Sequence, residues 1–316
     1  MISPLAALSV AGGLTYLFMG GDLLVRGGIS VARKFSIPPA IIGATVVAFG
    51  TSLPELFVSV LAASTGHGGV SLGNVVGSNI ANVLVVLGVP ALIAPIVATD
   101  SSMRVHGGFM VVASVVFVAL CFLGPLTLWH GLTLLAVLAL AVALTVSGRM
   151  SLIDLSAEEE EYERTLGLPE RPLFAWLFIL LGAVFLPLGA DLTLDGVTEV
   201  AMQAGVPETA IAASVVALGT SLPELSVSVL AALHKQLDMA IGNVMGSNAL
   251  NLLFVIGLTA SITSIPVPPS LLRFDVWVML GFALLLTMFV FRNVRIGRRV
   301  GAVLVAAYGL YLWMIF

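Results

Sequence analysis

The sequence predicts an all-α polytopic membrane protein whose ten transmembrane helices form two inverted repeats of five helices. Three observations support this fold class: a very apolar composition, ten hydrophobic stretches of spanning length, and an internal duplication at an offset of 169 residues. Of the 316 residues, 59% are hydrophobic and 9% are charged, whereas an ordinary soluble domain has about 25% charged residues. Because a helix needs about 20 apolar residues to cross a bilayer, little chain is left for a soluble domain.

The predicted spans follow one another with short connections. Residues 1–148 hold the first five spans, residues 149–171 form the longest loop, and residues 172–316 hold the second five spans. The ten spans cover residues 4–32, 38–65, 69–98, 103–124, 126–148, 172–203, 207–234, 238–267, 271–292 and 297–316.

Basic residues are distributed very unevenly between the two sides of this predicted membrane domain. The side shared by the loop after span 1 and every second loop thereafter carries twelve Arg and Lys residues, and the opposite side carries Arg273 alone. The positive-inside rule therefore places both termini outside and loop 149–171 in the cytoplasm. The short loops favour a prokaryotic plasma membrane.

The second half of the chain repeats the first without a gap. Between residues 44 and 63, 17 of 20 positions are identical to residues 213–232, and the matches include Gly, Thr, Ser, Pro and Glu. Such self-similarity indicates an internal duplication. Because each copy holds an odd number of spans, the second copy must enter the membrane from the opposite side. Inverted repeats of this kind are typical of secondary transporters with a site near the midplane.

The segment GTSLPEL occurs at residues 50–56 and again at 219–225, inside spans 2 and 7. Pro54 and Pro223 each lack an N–H and clash with the carbonyl four residues earlier, so each is predicted to break its helix. Broken backbone in the hydrocarbon region is tolerated only where it is buried in protein or lines a cavity. Helices 2 and 7 are therefore predicted to be broken at the centre of the protein.

Each broken helix carries polar groups on one face, because residues three or four apart share a face of a helix. These faces are Ala48, Thr51, Ser52, Glu55 and Ser59 in the first copy, and Ala217, Thr220, Ser221, Glu224 and Ser228 in the second. A GNVxGSNxxN segment follows each, with Ser78 and Asn82 one turn apart in the first copy and Ser247 and Asn251 in the second.

The pooled ligands are carboxylate, hydroxyl, amide and carbonyl oxygens, which suit Ca²⁺ and Na⁺ rather than zinc or copper. Two glutamates balance one Ca²⁺ or two Na⁺, which provides a physical basis for antiport at a shared site. Carboxylates inside a membrane are functional by default. By contrast, Ser59, Ser228, Asn79 and Asn248 could equally serve to hold helices together.

The paired GTSLPE and GNVxGSN segments resemble the alpha repeats of the cation/calcium exchanger superfamily, in particular its sodium/calcium exchanger branch of prokaryotic type. The resemblance covers all ten spans, with alpha repeat 1 at residues 43–88 and alpha repeat 2 at residues 212–257. It implies a secondary active antiporter, not an enzyme, that exchanges Na⁺ for Ca²⁺ by alternating access and uses no cofactor. The implied partners are the two ions and the lipid bilayer, with no nucleic acid and no protein partner.

The resemblance also implies which residues line the ion sites. They are Thr51, Ser52, Glu55, Ser78 and Asn82, with Thr220, Ser221, Glu224, Ser247 and Asn251, and the backbone carbonyls of Ala48 and Ala217. Proton/calcium exchangers of the superfamily typically carry Gly-Asn where this chain has Gly-Thr-Ser. Potassium-dependent relatives, and some prokaryotic exchangers, have an aspartate where this chain has Asn251, so potassium coupling is not expected here.

Three other functions are compatible with parts of this pattern. A proton/calcium or other cation/calcium antiporter is the main alternative. A passive cation channel would use the same oxygens, but inverted repeats with broken helices favour alternating access. An intramembrane hydrolase would need a nucleophile, base or metal beside the glutamates, and no His or Cys repeats there.

Two further groups of acidic residues could have a role in ion transport, but Asp22 and the acidic run each have an ordinary structural explanation. Asp22 and Asp191 recur at equivalent positions and could form an ion vestibule, yet Arg26 lies one turn after Asp22 and is placed to pair with it. The glutamates of residues 158–163 could attract Ca²⁺, but a run of charge is usually a solvated segment.

Overall fold

The computed structural model describes residues 3–35, 37, 39–97, 102–146, 167–169, 171–203 and 219–315, the side chains of 145 and 146 excepted. Over these residues the protein is helical, with two isolated β-bridges. The helices are α1 (Pro4–Lys34), α2 (Pro39–Thr51), α3 (Leu53–Ser64), α4 (Gly68–Ile93), α5 (Ser102–Cys121), α6 (Leu128–Val146), α7 (Pro172–Gln203), α8 (Leu222–Leu233), α9 (Leu237–Ile262), α10 (Pro269–Arg273), α11 (Asp275–Phe291) and α12 (Arg298–Ile315).

These helices account for the predicted spans. Six helices are long and apolar enough to cross a membrane, and the bent pair α2 and α3 forms a seventh span. The shorter apolar helices α6, α8 and α11 lie within predicted spans 5, 7 and 9. Span 7 is described only from Gly219 onward, and most of loop 149–171, including residues 158–163, lies outside the described residues.

The break in span 2 lies at Ser52, where α2 and α3 meet at an angle of 43°. Ser52 has φ −84° and ψ 5°, and Pro54 is the second residue of α3. In the second copy Ser221 has φ −88° and ψ 3°, and Pro223 is the second residue of α8. Each proline therefore begins a new helix, in the first turn where its missing N–H is tolerated, instead of interrupting a continuous one.

Two β-bridges show the inverted pseudo-symmetry in the connections. Ile96, after α4, exchanges backbone hydrogen bonds of 2.9 and 2.8 Å with Ile296, before α12. Leu126, before α6, exchanges bonds of 2.9 and 2.8 Å with Ile265, after α9. Each bridge thus joins the end of one repeat's third span to the start of the other repeat's fifth span.

The first helices of the two repeats, α1 and α7, pack antiparallel along a glycine rail. We give this name to six glycines at seven-residue spacing: Gly13, Gly20 and Gly27 in α1, and Gly182, Gly189 and Gly196 in α7. A β-carbon added to Gly182 would lie 2.7 Å from the Gly20 carbonyl oxygen, and one added to Gly196 would lie 2.7 Å from the Ala6 carbonyl oxygen. The two backbones are therefore in direct contact, as small residues allow between membrane helices.

The two repeats differ in how their broken helices are covered. Leu230 of α8 is 3% exposed, and a β-carbon on Gly21 of α1 would lie 2.9 Å from its Cδ1 atom. The equivalent residue of α3, Leu61, is 67% exposed. Helix α1 thus covers α8 at Leu230, whereas Leu61 on the equivalent surface of α3 is exposed.

Asp22, Arg26 and His234 form a cluster that joins α1 to the end of α8 on this covered side. Asp22 of α1 pairs with Arg26 at 2.9 Å, as the one-turn spacing predicts, and its other carboxylate oxygen lies 2.9 Å from His234 Nε2 at the end of α8. The repeat equivalent of Asp22, Asp191, is exposed on α7 near Asp195. The two aspartates therefore lie in different environments, and Asp22 is engaged in a contact between helices.

Candidate functional site

The two glutamates lie at the junction of the repeats, each at the start of a half-helix. Glu55 is the third residue of α3 and Glu224 the third residue of α8, and both side chains have no exposed surface. A carboxylate in the first turn is stabilised by the N-terminal end of the helix dipole. Ser52 of the first copy donates its hydroxyl hydrogen to Glu224 Oε1 at 3.4 Å. The break in one repeat therefore contacts the carboxylate of the other.

The hydroxyl groups predicted to line the site also meet across the repeats. Thr51 Oγ1 lies 3.4 Å from Ser247 Oγ, and Ser78 Oγ lies 3.2 Å from Thr220 Oγ1. All four residues are buried. A shift of 169 residues converts one contact into the other, because Thr51 corresponds to Thr220 and Ser78 to Ser247. The two repeats therefore contribute equivalent contacts to the site.

Two asparagines outside the predicted set tie the half-helices to the following span. Asn74 Nδ2 donates to Ser59 Oγ at 3.1 Å, and Asn243 Nδ2 donates to Ser228 Oγ at 3.2 Å. The Asn74 side-chain oxygen accepts from the Thr220 hydroxyl at 3.3 Å. Both asparagines stand in the repeated GNV motif, which was the available sequence signal for them, and their bonds tie Ser59 and Ser228 to the following span.

The amides of Asn82 and Asn251 are oriented by hydrogen bonds to the opposite repeat. Asn82 Nδ2 donates to Asn248 Oδ1 at 3.0 Å, and Asn251 Nδ2 donates to Asn79 Oδ1 at 3.2 Å. Both residues start a turn of π-helix, at Asn82–Val86 in α4 and Asn251–Val255 in α9. Such π-turns are frequent at functional sites. The periodicity of the sequence did not indicate them.

Three predicted positions remain, of which Ala48 and Ser221 lie within the described residues. The Ala48 carbonyl oxygen accepts from Ser52 N–H at 3.0 Å and from the Thr51 hydroxyl at 3.2 Å, so it lies at the break beside the site. Ser221 is buried at the matching break. Ala217 lies outside the described residues.

Six buried oxygen atoms at this junction have no hydrogen-bond partner among the side chains that the structure describes. They are Glu55 Oε1 and Oε2, Glu224 Oε2, Asn82 Oδ1, Asn251 Oδ1 and Ser221 Oγ. Buried acceptors without a donor are costly, and a hard cation would satisfy them. No cluster of three or more His, Cys, Asp and Glu forms over the described ranges, so the donor set is the one that suits Ca²⁺ and Na⁺ rather than a soft metal.

Comparison with known proteins agrees with this fold. The family described as "Sodium/calcium exchanger protein" matches residues 5–147 and 174–316, one match in each repeat. The sodium/calcium exchanger MaX1 of Methanosarcina acetivorans is 30% identical over 96% of each chain. Inner membrane protein YrbG of Escherichia coli is 32% identical over 96% of this chain and 94% of its own.

The solved structures of a related exchanger have the same architecture. A structure of the sodium-calcium exchanger NCX_Mj, soaked with zero Na⁺ and Ca²⁺, matches with a TM-score of 0.83 and 28% identity, covering 99% of both chains. Another, soaked with 10 mM Na⁺ and 10 mM Sr²⁺, matches with a TM-score of 0.81 and 29% identity over 97% of both chains. The predictions of ten transmembrane helices in two repeats and of a transporter rather than an enzyme are confirmed. The chain is an integral membrane protein that belongs to the sodium/calcium exchanger family.

Proposed function

We propose that this protein is a secondary active antiporter that exchanges Na⁺ for Ca²⁺ at the junction of its repeats. The observation that carries the proposal is the set of six buried oxygens that have no hydrogen-bond partner within the described part of the chain, three of which belong to Glu55 and Glu224. Two carboxylates bind one Ca²⁺ or two Na⁺ with equal charge compensation. Because both ions satisfy the same oxygens, the binding of one excludes the other, which is the requirement for exchange at a shared site.

The proposed ion ligands are the residues that the repeated motifs predict for the two breaks and the adjoining spans. They are Glu55, Thr51, Ser52, Ser78, Asn82 and the Ala48 carbonyl, with Glu224, Thr220, Ser221, Ser247, Asn251 and the Ala217 carbonyl. Hydroxyl and amide oxygens replace part of each ion's hydration shell, and the carboxylates supply the charge.

Alternating access is supported by the different coverage of the two half-helices. Leu230 is buried beneath α1, whereas Leu61 at the equivalent position of α3 is exposed. Since the two repeats have nearly the same sequence here, a second state in which the coverage is exchanged is available to the same chain. With both termini outside, as the basic residues predict, the covered half faces the cytoplasm. A prokaryotic plasma membrane fits the inner-membrane designation of YrbG.

The test is Ca²⁺ uptake by the purified protein in liposomes at a clamped membrane potential. We expect uptake when the lumen contains Na⁺ and none when Na⁺ is replaced by K⁺ or choline. Uptake driven equally well by a proton gradient would identify a proton/calcium antiporter instead. Uptake without any counter-ion gradient would identify a channel.

A further inference from the structure

We infer that Asn79 and Asn248 are positioning residues that orient the amides of Asn82 and Asn251, so that their oxygen atoms face the ion. The inference rests on the proposed function, because it concerns the orientation of ligands in that site. It assigns to these two asparagines a role beyond holding helices together.

The orientation starts at the backbone, which makes it unambiguous. Asn79 Nδ2 donates to the backbone carbonyl oxygen of Asn248 at 3.2 Å, and Asn248 Nδ2 donates to the backbone carbonyl oxygen of Asn79 at 3.2 Å. A carbonyl oxygen can only accept. Each of these side chains must therefore place its NH₂ group towards the other helix's backbone and its oxygen in the opposite direction.

The next bond passes this orientation to the proposed ligands. Asn79 Oδ1 faces Asn251 at 3.2 Å, and Asn248 Oδ1 faces Asn82 at 3.0 Å. Because an amide oxygen cannot donate, Asn251 and Asn82 must each present NH₂ to it. Their own oxygens are then left without a partner, and over the described ranges neither Oδ1 atom has one.

A reversal of Asn82 or Asn251 would have two costs. It would place oxygen against oxygen at about 3 Å in this hydrogen-bonded series of four asparagines. It would also direct an NH₂ group, with its partial positive charge, at the cation. All four side chains are buried, so water does not relieve the mismatch. These hydrogen bonds therefore select the arrangement in which the site keeps both amide oxygens as ligands.

The test is a double-mutant cycle with an internal rescue. Asn79→Ala removes the acceptor that orients Asn251, and we expect the Ca²⁺ concentration for half-maximal uptake to rise about tenfold, the effect of one misdirected polar group. Adding Asn251→Asp should bring that concentration back to within about threefold of the wild type, because a carboxylate presents an oxygen whichever way it turns. Assays are run with K⁺ on both sides, so that the added charge has a counter-ion.

The effect of Asn251→Asp on uptake should depend on whether Asn79 is present. With Asn79 present, the new carboxylate faces Asn79 Oδ1, so this substitution should weaken uptake in the wild-type background and improve it in the Asn79→Ala background. A role confined to packing predicts no such change of sign. Thr259→Val is the matched control, because it removes a buried 2.7 Å hydrogen bond in α9, from Thr259 Oγ1 to the Val255 carbonyl, and leaves the four asparagines unchanged.

The mirrored cycle, Asn248→Ala with Asn82→Asp, repeats the test if Asn79→Ala does not fold, as judged by monodispersity in detergent. The inference is overturned if half-maximal Ca²⁺ is unchanged in the single variants, or if the second substitution brings no recovery. If the wild type shows no Na⁺-driven uptake, the proposed function is refuted instead. Calorimetric measurement of Ca²⁺ affinity would then still show whether Asn251→Asp weakens binding in the wild-type background and strengthens it in the Asn79→Ala background.

Discussion

Replacing Glu55 with glutamine removes one of the two buried charges of the proposed site and keeps the shape of the side chain. Both carboxylates are fully buried, and neither Glu55 oxygen has a hydrogen-bond partner among the residues that the structure describes. At 4 Å and an effective dielectric constant of about 20, a carboxylate and a divalent cation attract each other by about 8 kcal/mol. The desolvation cost of the buried carboxylate offsets part of this. A net loss of about 4 kcal/mol lowers Ca²⁺ affinity about a thousandfold.

The assay is the initial rate of Ca²⁺ uptake into Na⁺-loaded proteoliposomes at subsaturating Ca²⁺. We expect Glu55→Gln and Glu224→Gln each to abolish uptake while the proteins remain folded and well expressed. Glu199→Gln is the matched control, since this carboxylate lies on α7 and accepts a 3.0 Å bond from Gln203. Wild-type rates from either site variant would refute the assignment of the carboxylates.

Three other predictions test the break, the orientation and the charge balance. Pro54→Ala should slow uptake by favouring a continuous helix across Ser52. It should raise the free energy of unfolding by well under the ~3 kcal/mol that an interior proline costs, because Pro54 lies in a first turn. Turnover equal to the wild type in the same liposomes would show that the proline serves packing alone. Ser156→Cys, in the part of the loop outside the described residues, should react with an impermeant thiol reagent from the cytoplasmic side only, and labelling of intact cells from outside would reverse the proposed orientation. Wild-type uptake should be insensitive to K⁺ at a clamped potential, whereas Asn251→Asp should make it depend on K⁺ or on pH, because a third buried carboxylate needs its own cation or proton; a K⁺ requirement in the wild type would contradict this.

The sequence predicted those parts of the fold that depend on local composition and on self-similarity. The spans follow from hydrophobicity, and the breaks follow from the repeated prolines, although each break lies two residues before its proline because a proline is best placed in a first turn. The pairing of Asp22 with Arg26 follows from their one-turn spacing. The third member of that cluster, His234, is 212 residues away from Asp22, and no local pattern indicates such a contact.

The coverage of the half-helices shows most clearly where sequence-based reasoning ends. Leu61 and Leu230 stand in the same repeated segment, yet one is 67% exposed and the other 3%. The two segments differ at a few positions, including Phe57 in α3 and Ser226 in α8, but these differences do not by themselves show which half α1 covers. The coverage depends on the positions of α1 and α7. The same holds for Asn79 and Asn248, whose type was visible in the motif but whose reciprocal bonds depend on the approach of α4 to α9.

The glycine rail limits the ways in which this transporter can leak. Because α1 and α7 touch through backbone atoms along their length, neither helix can move away from the bundle without carrying the other. A displacement of the pair that uncovers Leu230 on one side should therefore cover Leu61 on the other. Both ends of the ion path would then never be open together, and a larger residue in the rail, such as Gly189→Val, should loosen the pair and allow ions to cross without exchange.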